Sequence, residues 1–111
     1  MIIKLSPQRR DDVLGVTKNG DVLTINGEVF DFSPMADGDS LPATAVMSEW
    51  FSGQIDKNNG ELELALFLPL PANFSQAQAF PQPLLNVPDG PVLFPAPSPV
   101  IVTEDTTEER A

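Results

Sequence analysis

The 111-residue sequence contains no cysteine and no histidine. Without cysteine there is no disulfide and no thiolate metal site. Without histidine the commonest general base and the commonest metal ligand are missing, and none of the serines can belong to a Ser-His-Asp site. Basic residues are scarce: six Lys and Arg stand against sixteen Asp and Glu, a net charge of -10. The basic pair Arg9-Arg10 is followed at once by Asp11-Asp12. Such a chain repels phosphate backbones and anionic lipid, so neither nucleic acid nor membrane is an expected partner. Long hydrophobic runs are lacking too. None approaches the roughly 20 residues of a membrane span, and Met1 to Pro7 is too short for a signal peptide. No glycine-rich phosphate loop is present, because the glycines sit in turn contexts. Together these absences argue against an enzyme and against a cofactor or metal.

What is present points to one all-β domain over residues 1–94, antiparallel meanders and hairpins forming a small two-sheet sandwich or one curled sheet, with a proline-rich segment over 69–94. Its anchor is Asn59-Gly60-Glu61-Leu62-Glu63-Leu64-Ala65-Leu66-Phe67-Leu68, with leucine at every second position from Leu62 to Leu68. A period of two is that of a strand with one buried face. Asn-Gly opens this strand, Pro69 is expected to close it, and Glu61 and Glu63 are expected to face solvent. A two-residue turn at Asn59-Gly60 pairs Asn58 with Glu61, and carried onward it sets Ile55 against Leu64, Gly53 against Leu66 and Phe51 against Leu68.

Asn19-Gly20 and Asn26-Gly27 suit two more type I′ hairpins. Closing the first at Lys18 and Asp21 pairs Val16 with Leu23 and Leu14 with Ile25. Closing the second at Ile25 and Glu28 pairs Leu23 with Phe30 and Asp21 with Phe32. Leu14, Val16, Leu23, Ile25, Phe30 and Phe32 then share one face. A one-residue slip of either turn is expected to scatter that set. Ile2, Ile3 and Leu5 predict a short strand ending before Pro7. Residues 33–40 read as loop. Asp37 and Asp39 flank a glycine there, but the spaced ligands of a calcium loop are missing. Ser40 caps a helical turn through 41–46, or residues 44–48 form a strand; the two are not separable from sequence.

Nine of the twelve prolines lie from Pro69 onward. Proline has no ladder N–H, so strands there must be short and peripheral. Yet Phe74, Phe80, Leu84, Leu85, Val87, Val92, Leu93 and Phe94 are many apolar groups for a segment left in water. Residues 84–87 and 92–94 can make edge strands around Pro88-Asp89-Gly90, or residues 69–94 wrap the sheet or another chain. Residues 95–111 read as an acidic, mobile tail. Trp50 and Phe51 read as core or as an aromatic contact pair. Trp50, Phe51, Phe80 and Phe94 are the candidate interaction residues.

Asp31-Phe32-Ser33-Pro34, Ser48-Glu49-Trp50-Phe51-Ser52-Gly53, Leu64-Ala65-Leu66-Phe67-Leu68-Pro69, Phe80-Pro81-Gln82-Pro83-Leu84 and Asp89-Gly90-Pro91-Val92 follow one another in order. This succession, spanning residues 16–95, resembles small proteins of bacteriophages and prophages encoded near tail genes. The resemblance implies a virion or assembly setting, in the host cytoplasm or the particle, and carries over no functional residue. The expectation is a non-enzymatic structural or assembly protein that binds other proteins, such as a tail or fibre component. The rivals are a small module for a host factor or carbohydrate, with Trp50, Phe51, Asp37 and Asp39 as its place, and an edge strand that pairs with a second copy.

Overall fold

A computed structural model describes residues 1–97. The tail read at 95–111 lies outside the described residues from residue 98 onward. The described strands are β1 (Ile2–Arg9), β2 (Val16–Asn19), β3 (Val22–Ile25), β4 (Glu28–Asp31), β5 (Ser40–Leu41), β6 (Ile55–Asn58), β7 (Glu61–Leu70) and β8 (Gly90–Pro91). They form two four-stranded sheets, ordered β1-β7-β6-β5 and β4-β3-β2-β8. The fold is all-β, and the anchor strand β7 is interior to its sheet.

Two of the three Asn-Gly steps make the turns that the sequence predicts. Asn26 and Gly27 have φ of 49° and 87°, and Asn59 and Gly60 have 53° and 78°. Two consecutive positive φ angles are what a type I′ turn requires. Ile25 accordingly faces Glu28, Leu23 faces Phe30, and Asn58 faces Glu61. The first turn differs. Asn19 pairs with Val22, so the loop residues are Gly20 and Asp21, and only Gly20 is left-handed, at φ 59°. Glycine first with a single positive φ is the pattern of a type II′ turn. Val16 therefore faces Ile25, and Lys18 faces Leu23.

The apolar face survives this shift. Moving a two-residue loop one position along the chain moves each partner by two positions, so the alternation keeps its parity. Only a change of loop length by one residue would turn the side chains over. Leu14, Val16, Leu23, Ile25 and Phe32 are all buried, with Phe30 packed against them. The same parity rule covers a second correction. The β6–β7 ladder reaches Asp56 opposite Glu63, but the next bridge is Phe51 opposite Leu66, not Leu68. Two additional residues near the bend at Gly53 are looped out, and Phe51 still points inward.

Prolines did not end strands where the sequence predicted. β1 runs through Pro7 and pairs parallel with β7, Ile2 opposite Glu63 through Arg9 opposite Leu70. The N–H and C=O of Ile3 point away from β7, bonding Leu84 at 3.0 and 2.8 Å. By alternation Pro7 also faces outward, so its missing N–H costs the ladder nothing. Likewise β7 continues past Pro69 to Leu70. Phe67 N–H donates to the Trp50 carbonyl at 2.9 Å, so Pro69 faces the same flank, beyond the end of that partner. Of the two readings for residues 41–48 the helical turn is present, shorter than expected and not capped by Ser40, and residues 44–48 form no strand. Ser40 and Leu41 pair with β6, and a 3-10 turn spans Ala43–Ala45 with no side-chain cap.

The leucine face of β7 (Leu62, Leu64, Leu66) joins Ile3 and Ile55 of its own sheet and Val16, Leu23 and Ile25 of the other in one buried cluster. Phe51 bridges the sheets edge-to-face, with ring centroids 5.3 Å from Phe30 and 5.8 Å from Phe32. Lys57 of β6 donates to Asp21, at the β2–β3 turn, across 2.8 Å.

Candidate functional site

The proline-rich segment is a strap across both sheets. Leu84 makes a reciprocal bridge to Ile3 on the outer edge of β1. Further on, β8 pairs with β2, Pro91 opposite Thr17, and Val92 N–H donates to the Val16 carbonyl at 2.9 Å. The expected strands at 84–87 and 92–94 reduce to these contacts, because Pro83, Pro88 and Pro91 leave too few donors for longer ladders. Between the anchors, the Asp89 carboxylate accepts from Lys18 Nζ at 2.7 Å and from the Gly20 N–H at 3.0 Å. The Lys18 bond first, and the Gly20 N–H second, hold the Asp89 carboxyl below its ordinary range.

Extended geometry sends neighbouring side chains opposite ways. Half-buried Leu84 is followed by Leu85, 63 % exposed, and buried Val92 by Leu93, 84 % exposed. Phe80, just after the short helix α1 (Gln76–Ala79), is 75 % exposed. Hollows of about 290 Å³ and 390 Å³ lie along this outer surface, the first walled by Leu85, Pro88, Pro91 and Leu93, the second by Ala77, Phe80 and Gln82. From Leu64 to Pro97 the one charged residue is Asp89, already neutralised by Lys18. The strap therefore presents an uncharged apolar face on an acidic molecule.

The four candidate aromatics divide. Phe80 belongs to the exposed face. Phe94 is half-buried against the core. Trp50 is 8 % exposed and Phe51 is buried. The Arg10 guanidinium carbon sits 4.2 Å from the centre of the Trp50 ring. Arg10 is itself held by Asp12 and by Glu49, which raise its already high pKa, Asp12 contributing most. A sugar stacking on Trp50 would have to displace this cation. Asp37 accepts from the Gly60 N–H at 2.7 Å, tying its loop to the β6–β7 turn, and Asp39 accepts from the Ala36 N–H at 2.8 Å, closing its own loop. Among the described residues no three acidic side chains converge into a metal site. Glu63 pairs with Lys4 at 2.7 Å, and Glu61 with the N-terminal ammonium at 3.4 Å.

No known protein family, curated protein or solved structure matches the chain. Two features were not singled out from sequence. One is Arg10 over Trp50, which a basic residue forty positions upstream does not signal. The other is Gln78, which sits in Ser75-x-x-Gln78, a capping-box pattern that was there to be read. The described residues include no helix long and apolar enough to cross a membrane.

Proposed function

We propose that this is a non-enzymatic protein-binding module, a structural or assembly component of a phage or prophage, docking to a tail or fibre protein through the outer face of the strap. The observation that carries the reading is the exposure of Phe80, Leu85 and Leu93 on a segment otherwise pinned to its own fold. Burying one large aliphatic or aromatic side chain contributes roughly 1.5–3 kcal/mol. Three such side chains contribute roughly 4.5–9 kcal/mol, comparable with the lower part of the about 4–15 kcal/mol that association costs, so a specific complex needs neighbouring contacts beside them. Pre-ordering by the two anchors lowers those costs. The resemblance to proteins encoded near tail genes supplies the class of partner, and the setting would be the host cytoplasm during assembly or the particle itself.

The face is uncharged, so binding should change less than about threefold between low and moderate salt, unlike steered charged encounters. The test is co-purification with each protein encoded in the neighbouring tail region. A Phe80→Ser/Leu93→Ser double variant with unchanged folding should lose the complex. Retention of the complex by that variant, or failure of the native chain to bind any of these proteins, would defeat the proposal.

A further inference from the structure

A cleft of about 340 Å³ opens between residues 11–14, the end of β7, Gln78 of α1 and residues 94–97. Its walls are apolar, formed by Leu14, Leu68, Phe94 and the rings of Pro69 and Pro95. One uncharged polar side chain lines it: Gln78, only 5 % exposed.

Gln78 is used on one side only. Its Oε1 accepts from the Ser75 N–H at 3.1 Å, while Ser75 Oγ accepts from the Gln78 N–H at 3.2 Å, completing a capping box. The side-chain amide nitrogen has no partner among the described residues. A glutamine amide carries two donors, and leaving them unmet in a buried site is costly. The cleft therefore offers a hydrogen-bond donor at an apolar wall, with room for roughly ten waters or a ligand of similar volume.

We propose that this cleft binds an extended, uncharged peptide segment of a partner protein. One backbone carbonyl of the segment accepts from Gln78 Nε2, and one aliphatic side chain packs on Leu14, Leu68 and Phe94. The chemistry selects this class. One amide group, with its two N–H donors, holds one or two acceptors, so a polyhydroxylated sugar would leave most of its groups unmet on these walls. Among the described residues no cation lines the cleft, and its two carboxylates, Asp11 and Asp12, are paired with Arg9 and Arg10, so a phosphate or carboxylate finds no partner charge there. A peptide carbonyl beside an aliphatic side chain matches both the donor and the wall. The inference rests on the protein-binding reading and gives it a second contact point.

The test is an NMR titration of the full ¹⁵N-labelled chain with N-acetyl-leucine N′-methylamide, with N-acetylglycine N′-methylamide as the control lacking a side chain. The leucine probe should shift the Gln78 side-chain amide pair saturably, in the millimolar range expected for so small a ligand. Its methyl groups should give contacts to Leu14, Leu68 and Phe94, and the glycine probe should bind several-fold more weakly. Gln78→Glu keeps the acceptor that the capping box needs and removes both donors. It should weaken the leucine probe roughly tenfold while Ser75 keeps its cap.

Absence of a saturable shift, equal binding by Gln78→Glu, or probe contacts elsewhere would overturn the proposal. So would contacts from the free chain's own residues 99–102 to the Gln78 amide. If Gln78→Glu does not fold, the contacts of the probe on the native chain decide alone. No tail protein enters this titration. Its failure leaves the Phe80–Leu93 face standing, and failure of the co-purification leaves the cleft standing.

Discussion

Leu66 and Leu93 are the same residue in opposite environments, so truncating each to alanine measures how the strap and core divide. Leu66 is fully buried in the middle of β7, opposite Leu5 in β1 and Phe51 on the other flank. Leu66→Ala removes three carbon atoms, worth about 2.4 kcal/mol at roughly 0.8 kcal/mol each. The cavity adds to this, because strands held on both flanks relax little. The expected total is about 3 kcal/mol, within the range for buried leucines. Leu93 keeps most of its surface in water, so Leu93→Ala should change stability by less than about 0.5 kcal/mol. In urea, with a slope near 1.5 kcal/mol per molar for a chain of this size, Leu66→Ala should lower the midpoint by about 2 M. Leu93→Ala should lower it by less than about 0.3 M. Equal losses would refute the reasoning, since they would mean that the outer face of the strap is already covered in the free protein.

Three further outcomes follow from particular contacts. Gly20→Ala should cost about 1 kcal/mol for its left-handed backbone, although a methyl group meets nothing nearby, while Asn19→Ala should cost less than half of that; chemical denaturation of both checks it, and the reverse order would place the turn one residue earlier. The Asp89 carboxyl is held low by Lys18 and Gly20, so its contribution is present above the unfolded carboxylate value near 3.9 and is lost as pH falls through the folded value. Acid titration of Asp89→Asn should accordingly show a shallower fall in stability below about pH 4 than the native chain, and identical curves would contradict the strap anchor. Lys57→Met removes the partly buried pair with Asp21 that ties β6 to the β2–β3 turn, and thermal unfolding should report a loss of about 1–2 kcal/mol.

The sequence made the faces legible and the partners less so. Alternation in 61–68 and the positive-φ tolerance of Asn26-Gly27 and Asn59-Gly60 are local properties, and both appear in the fold as read. The position of the first turn was not local. Asn19-Gly20 and Gly20-Asp21 are both acceptable loops, and the strap residue Asp89, bonded to Gly20 and Lys18, belongs to the arrangement with Gly20 first. Pro7 and Pro69 misled because a proline ends a ladder only when its nitrogen faces a partner. Which flank it faces depends on the parallel pairing of β1 with β7, and that pairing joins residues about sixty positions apart. At the candidate site, the apolar content of 74–94 was legible, but which side chains face outward depends on the anchors at Leu84 and Val92. The capping-box pattern Ser75-x-x-Gln78 was legible, but the burial of Gln78 was not, because a capping-box glutamine is ordinarily a surface residue.

The central claim is that the strap belongs to this fold and holds its outer side chains ready for a partner. Residue-resolved hydrogen exchange of the free chain tests it most directly. The amides of Ile3, Leu84 and Val92 should be protected to within about tenfold of the Leu64 and Leu66 amides in the core strand. Exchange at Leu84 and Val92 as fast as in an unstructured peptide, with the core strand still protected, would contradict it.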